Sequence, residues 1–142
     1  MNFLRLTWHC AKKGIQVGCV LGTAVVAPLT IYRGRRAGKS IDFNRLMLNQ
    51  TYSILFGTVL SLGMMMGKYW GWENKARSLQ DRAYRIGVSK NQNRVDLYTE
   101  IAFAGSFLGT FLLTRKFFFS IGATSPFVVA GLLFHLMSKP KE

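Results

Sequence analysis

Apolar residues in this chain are gathered into blocks long enough to cross a lipid bilayer, and basic residues lie between them. The blocks run from about residue 15 to 32, 52 to 70, 97 to 113 and 117 to 137. At 1.5 Å per residue, a helix of ~18 residues covers roughly 27 Å, just short of the ~30 Å hydrocarbon layer. A thin membrane or anchors at the block ends would close that gap. Tyr32, Tyr69, Trp70, Trp72 and Tyr98 stand at such ends, where tryptophan and tyrosine favour the interface. The formal net charge is +13 while 49% of the residues are hydrophobic. A soluble domain would spread that charge through the chain; here it is segregated. The expectation is one all-α membrane domain over residues 1–142 with four short transmembrane helices, and a polar, partly helical loop between the second and third.

The fourth block admits two readings, because Arg115 and Lys116 do not belong at mid-bilayer. In one, the chain turns there and a span starts at Phe117. In the other, "FFFSIGATS" lies along the interface and a helix of about 12 residues, too short to span, starts at Pro126, since proline suits a first helical turn. The second is preferred. The first loop is basic, with Ser40 and Asp42 as candidate N-caps. In the second loop, Ala76, Leu79, Ala83 and Ile86 recur at helical spacing, and "SKNQN" is expected to end that helix.

Glycine recurs every fourth residue at Gly14, Gly18 and Gly22. Each costs a helix about 1 kcal/mol relative to alanine. In lipid, helices gain little from burying leucine, and close approach through small residues drives association instead. Spacing four stacks the glycines on one face, as a groove for a neighbouring helix. The second block carries Gly63, Gly67 and Gly71, preceded by Ser53, Gly57 and Ser61; the third carries Gly105 and Gly109; the fourth has Gly131, two turns after Ala123. A generic bundle with close crossings is the plainer reading of the same pattern.

No acid occurs before Asp42, whereas Arg5, Lys12, Lys13, Arg33, Arg35, Arg36 and Lys39 do. A basic, acid-free N-terminus suits mitochondrial import. A secretory signal with "MNFLRLTWHCAKK" as its charged segment is the competing reading, and the glycine series argues that the first block is retained as structure. With an even number of spans, the termini and second loop share one side. Basic residues, Lys139 and Lys141 among them, flank the spans on both sides, so charge does not fix orientation.

Short spans with serial glycine motifs, termini on one side and basic short loops resemble the mitochondrial inner-membrane translocase superfamily. That superfamily includes protein-import translocase subunits and accessory subunits of respiratory complexes. The resemblance covers roughly residues 14 to 138 and implies helix-packing roles for Gly14, Gly18, Gly22, Gly63, Gly67, Gly105 and Gly109. It implies termini in the intermembrane space and Arg33 to Lys39 in the matrix. "QDRAYR" and "NQNRVD" also resemble a poorly characterised protist branch of the group.

No catalytic constellation is visible. His9 and His135 are far apart, Cys10 and Cys19 form no metal or redox motif, and Met64, Met65 and Met66 are adaptable packing material. No enzyme activity, cofactor, metal, nucleic acid or small-molecule substrate is expected. The expected partners are other membrane subunits and lipids. Arg33, Arg35, Arg36, Lys39, Arg115 and Lys116 are the candidate head-group contacts, cardiolipin being the anionic lipid of that membrane. Two functions compete: a non-catalytic accessory subunit of a respiratory complex, complex I first, and a subunit of the import translocase. A translocation path needs polar groups facing a groove. The blocks offer mainly Gln16, Thr23, Thr58, Ser61, Ser106 and Thr110, with Lys68 and Glu100 near ends and no acid at mid-membrane, which favours the accessory role. A small-solute transporter is a weaker third class, without a coupling-ion site.

Overall fold

The computed structural model describes residues 2–138, which are almost wholly helical; Lys139 and Lys141 lie outside the described residues. Helix α1 (Asn2–Leu21) passes through one widened π-turn, Gly22–Val26, into α2 (Ala27–Arg36). Pro28 accounts for that turn. It has no N–H for the carbonyl of Ala24, and its ring would strike that carbonyl in a regular helix. The chain shifts register instead, and the Ala27 N–H donates to the carbonyl of Gly22, five residues back. Then follow α3 (Phe43–Trp70), α4 (Lys75–Val88), α5 (Lys90–Thr114) and α6 (Phe117–Met137).

Helix α3 is the centre of the bundle, packed against α1 on one side and α6 on the other, while α5 packs on α6. The start of α1, the end of α3, α4, the start of α5 and the end of α6 share one end of the bundle. Phe3 meets Tyr69 there, and His135 Nε2 lies 3.1 Å from Asn91 Oδ1. The opposite end holds the 37–42 loop and the α5–α6 turn.

Three helices are long and apolar enough to cross a membrane: Phe3–Arg36, α5 and α6. The expected count of four is not met, because α3, although 28 residues long, is not among them. Its apolar run is interrupted by polar residues that serve the bundle. Gln50 and Thr51 are buried, and Thr51 Oγ1 donates to the carbonyl of Phe118 at 2.6 Å. Ser53 and Ser61 donate across to the carbonyls of Gly18 and Cys10, at 3.0 and 2.8 Å. A central helix can carry such hydroxyls because its neighbours supply acceptors, whereas Gln50 Oε1 is buried without a partner among the described residues.

The helices of the first three blocks begin earlier than the blocks themselves, whereas α6 starts where its block does. The expected 15–32 is the middle of Asn2–Arg36, 52–70 starts nine residues inside α3, and 97–113 starts seven residues inside α5. The "NQNRVD" segment is thus the first two turns of α5, and only Ser89 separates it from α4. The preferred reading of the fourth block is overturned: α6 is continuous from Phe117 and carries Pro126 in its interior. The turn before it is made by Arg115, in the left-handed region at φ 55°. The carbonyl that Pro126 leaves without a donor belongs to Gly122.

Of the two candidate caps, Asp42 serves: its Oδ1 accepts from the Asn44 and Arg45 amides at 2.9 and 3.3 Å. Asp42→Ala should cost about 1 kcal/mol. Faster hydrogen exchange confined to the first turn of α3 would check it. Helix α4 turns Ala83, Leu79 and Ile86 inward, and Ala76 stays exposed. Lys75 over Tyr69 and Arg82 over Trp72 tie α4 to the end of α3.

Candidate functional site

The glycines divide into closed and open sets. Gly14, Gly18 and Gly57 meet at the α1–α3 crossing. A Cβ on Gly14 would lie 2.6 Å from Thr58 Cα, and one on Gly18 2.6 Å from Ile54 Cα. A Cβ on Gly57 would lie 2.6 Å from the Gly14 carbonyl oxygen. All are backbone atoms that cannot move aside, so only glycine fits. Gly22 is buried with ordinary contacts to Ser125 and Ser53. Gly122 lies against the Met47 carbonyl, and Gly131 faces Tyr98 and Ala102. The spacing argument missed Gly122 because it stands without a glycine four residues away; Ser120, Thr124 and Ser125 around it, all fully buried, were the available signal.

Gly63, Gly67, Gly105 and Gly109 have no neighbour within 4 Å of an added Cβ, and Gly71 meets only its own helix. The Gly105–Gly109 face is a shallow hollow of about 500 Å³ between Ile101, Ala102, Ser106 and Leu113. These four glycines pack against nothing among the described residues.

A second feature joins α1 to α5, two helices whose backbones hardly touch. Long polar side chains span the gap. Asp96, 5% exposed, receives Lys13 Nζ at 2.6 Å and Gln16 Nε2 at 3.2 Å on Oδ1. On Oδ2 it faces His9 Nδ1 at 3.4 Å and Lys12 Nζ at 3.5 Å. Lys12 reaches on to Glu100 at 2.7 Å, and Gln16 donates to Thr99 Oγ1 at 2.8 Å. His9 in turn lies 3.3 Å from Gln92. Beside this network a groove of about 300 Å³ runs between the helices, lined by Trp8, Lys12, Gln16, Glu100 and Phe103 among others. Charge balances here, two lysines against two carboxylates, so the network closes on itself.

By apolar blocks alone, Asp96 falls in the loop just before the third block. The helix start at Lys90 changes that, bringing Asp96, Thr99 and Glu100 onto one face, one turn apart. The matching spacing of His9, Lys12, Lys13 and Gln16 on α1 was the signal.

The basic candidates Arg33, Arg35, Arg36 and Lys39 lie at the far end of the bundle, as do Arg115 and Lys116, all exposed. None makes an ion pair among the described residues. Among the described residues no three His, Cys, Asp or Glu side chains are placed to hold a metal ion.

No curated protein and no solved structure matches the chain. A family model described as "protein of unknown function (DUF1757)" matches residues 3–133, nearly the whole molecule, so the chain belongs to the DUF1757 family.

Proposed function

We propose that this protein is a non-catalytic accessory subunit of a large mitochondrial inner-membrane assembly, a respiratory complex with complex I favoured, and that it packs against neighbouring subunits. The observation that carries the packing role is the open Gly105–Gly109 face on α5, a helix whose apolar window is only 6% buried within the chain. A glycine pair that costs helix stability and meets no neighbour among the described residues is explained by a helix from outside. The mitochondrial setting rests on the basic, acid-free N-terminus and on the resemblance drawn above. In this reading α3 crosses the bilayer with the other three long helices, its polar groups turned to α1 and α6.

The import-translocase reading gains one observation. Lys12, Gln16, Thr99 and Glu100 face the α1–α5 groove, and such groups are what a polar path through a membrane requires. Their mutual pairing, and the placement of the cluster at one end of the bundle, favour a structural joint instead.

Native electrophoresis of mitochondrial membranes with mass spectrometry of the bands separates the two. Migration with a respiratory complex is the expected result. Migration with import machinery, or crosslinking to a stalled preprotein, would transfer the protein to the second reading.

A further inference from the structure

We propose that the end of the bundle near the 37–42 loop holds an anionic phospholipid in a built site, its phosphate among Arg33, Lys39 and Arg45 and one acyl chain along the outer side of the π-turn. The proposal rests on the membrane part of the reading above and adds a ligand class and a location.

Two adjoining cavities carry it. The first, about 320 Å³, lies between the end of α2 and the start of α3 and has basic and polar side chains among its walls: Thr30, Arg33, Lys39, Arg45 and Asn49. The second, about 570 Å³, is an open apolar groove between the π-turn and α3, walled by Val25, Leu29, Tyr52 and Phe56. Thr30, Arg33 and Asn49 belong to both, so the basic cavity and the apolar groove adjoin along a shared wall. A basic pocket adjoining an oily groove has the shape and polarity of a phospholipid, head to tail. A free anion would use only the first part, and a bare hydrocarbon only the second.

The charge is available for a ligand. Arg33, Lys39 and Arg45 make no ion pair among the described residues. Asp42 also lines the cavity, but its Oδ1 is taken by the Asn44 and Arg45 amides. Asn49 Nδ2 donates to Thr30 Oγ1 at 3.2 Å and holds the junction between the cavities. Arg35, Arg36, Arg115 and Lys116 are exposed at the same end of the bundle and add positive charge there. Basic pockets between membrane helices bind anionic head-groups in this manner. The π-turn helps to form the groove, because its widened turn contributes Val25 and Val26 to the wall.

Native mass spectrometry of the full chain in detergent, titrated with phosphatidylglycerol or with phosphatidylcholine of the same acyl chains, is the test. One phosphatidylglycerol per chain should be retained, about tenfold more tightly than phosphatidylcholine. Arg33→Gln/Lys39→Gln/Arg45→Gln should abolish that preference. Leu29→Trp, at a half-exposed groove position, should weaken both lipids together. Arg5→Gln/Arg77→Gln/Lys90→Gln, equal in charge removed but at the other end, should leave binding unchanged. Equal retention of the two lipids, a preference that survives in the first triple variant, or displacement of phosphatidylglycerol by inorganic phosphate would overturn the proposal. Failure to join an assembly would not alter these binding values, so the two readings fail separately.

Discussion

Gly18→Leu should unfasten α1 from α3, with a loss of about 3 kcal/mol or more, as expected for overpacking against atoms that cannot yield. The new Cβ alone would stand 2.6 Å from Ile54 Cα and 2.7 Å from the Ser53 carbonyl oxygen. Parting the helices would also stretch the bond from Ser53 Oγ to the Gly18 carbonyl. It would open the buried cluster of Cys19, Ile54 and Val128, where three helices meet. Gly67→Leu sits in the same kind of repeat but meets open space, and should change stability by less than about 0.5 kcal/mol. Unfolding of both variants in detergent, by denaturant titration followed by circular dichroism, measures the contrast. Equal losses would mean that spacing alone, not contact, sets the cost.

Asp96→Ala should cost about 3 kcal/mol or more, the usual consequence of removing one member of a buried ion pair. Among the described residues, Lys13 would lose its one carboxylate and keep just the side-chain oxygen of Gln16 as an acceptor. Lys12 would retain Glu100, a half-exposed partner worth less because water screens it. Asp96→Leu combined with Lys13→Met should recover most of the loss, since an apolar pair of similar size removes the orphaned charge with its partner. The double variant also reads the role of the network. Recovery of stability and of assembly would make it a joint between α1 and α5. Recovery of stability with assembly still lost would make the charges themselves part of a contact.

Much of the helical plan was legible because burying backbone polar groups in lipid leaves few options, and apolar length is written directly in the chain. What spacing could not say is which face meets which neighbour. Gly14, Gly18 and Gly22 were read as one packing face, and they are buried against α3 and α6. Gly63, Gly67, Gly105 and Gly109 carry the same local signal and face outward, a difference set by tertiary arrangement alone. Pro126 misled because proline suits a first helical turn, whereas α6, packed against α3 and α5, carries it in its interior. Asp96 was missed because polar residues at a helix start look like loop until the partner helix is in place. Helix α3 shows the reverse: Thr51, Ser53 and Ser61 lower its hydropathy because it is central, with carbonyls of α6 and α1 to accept from them.

The central claim is that the open glycine face of α5 exists for a helix from another subunit. Gly109→Leu tests it most directly, with unfolding in detergent and native-gel migration read on the same variant. The account predicts wild-type unfolding together with loss of the protein from its large assembly. A variant that unfolds normally and still migrates with that assembly would contradict it.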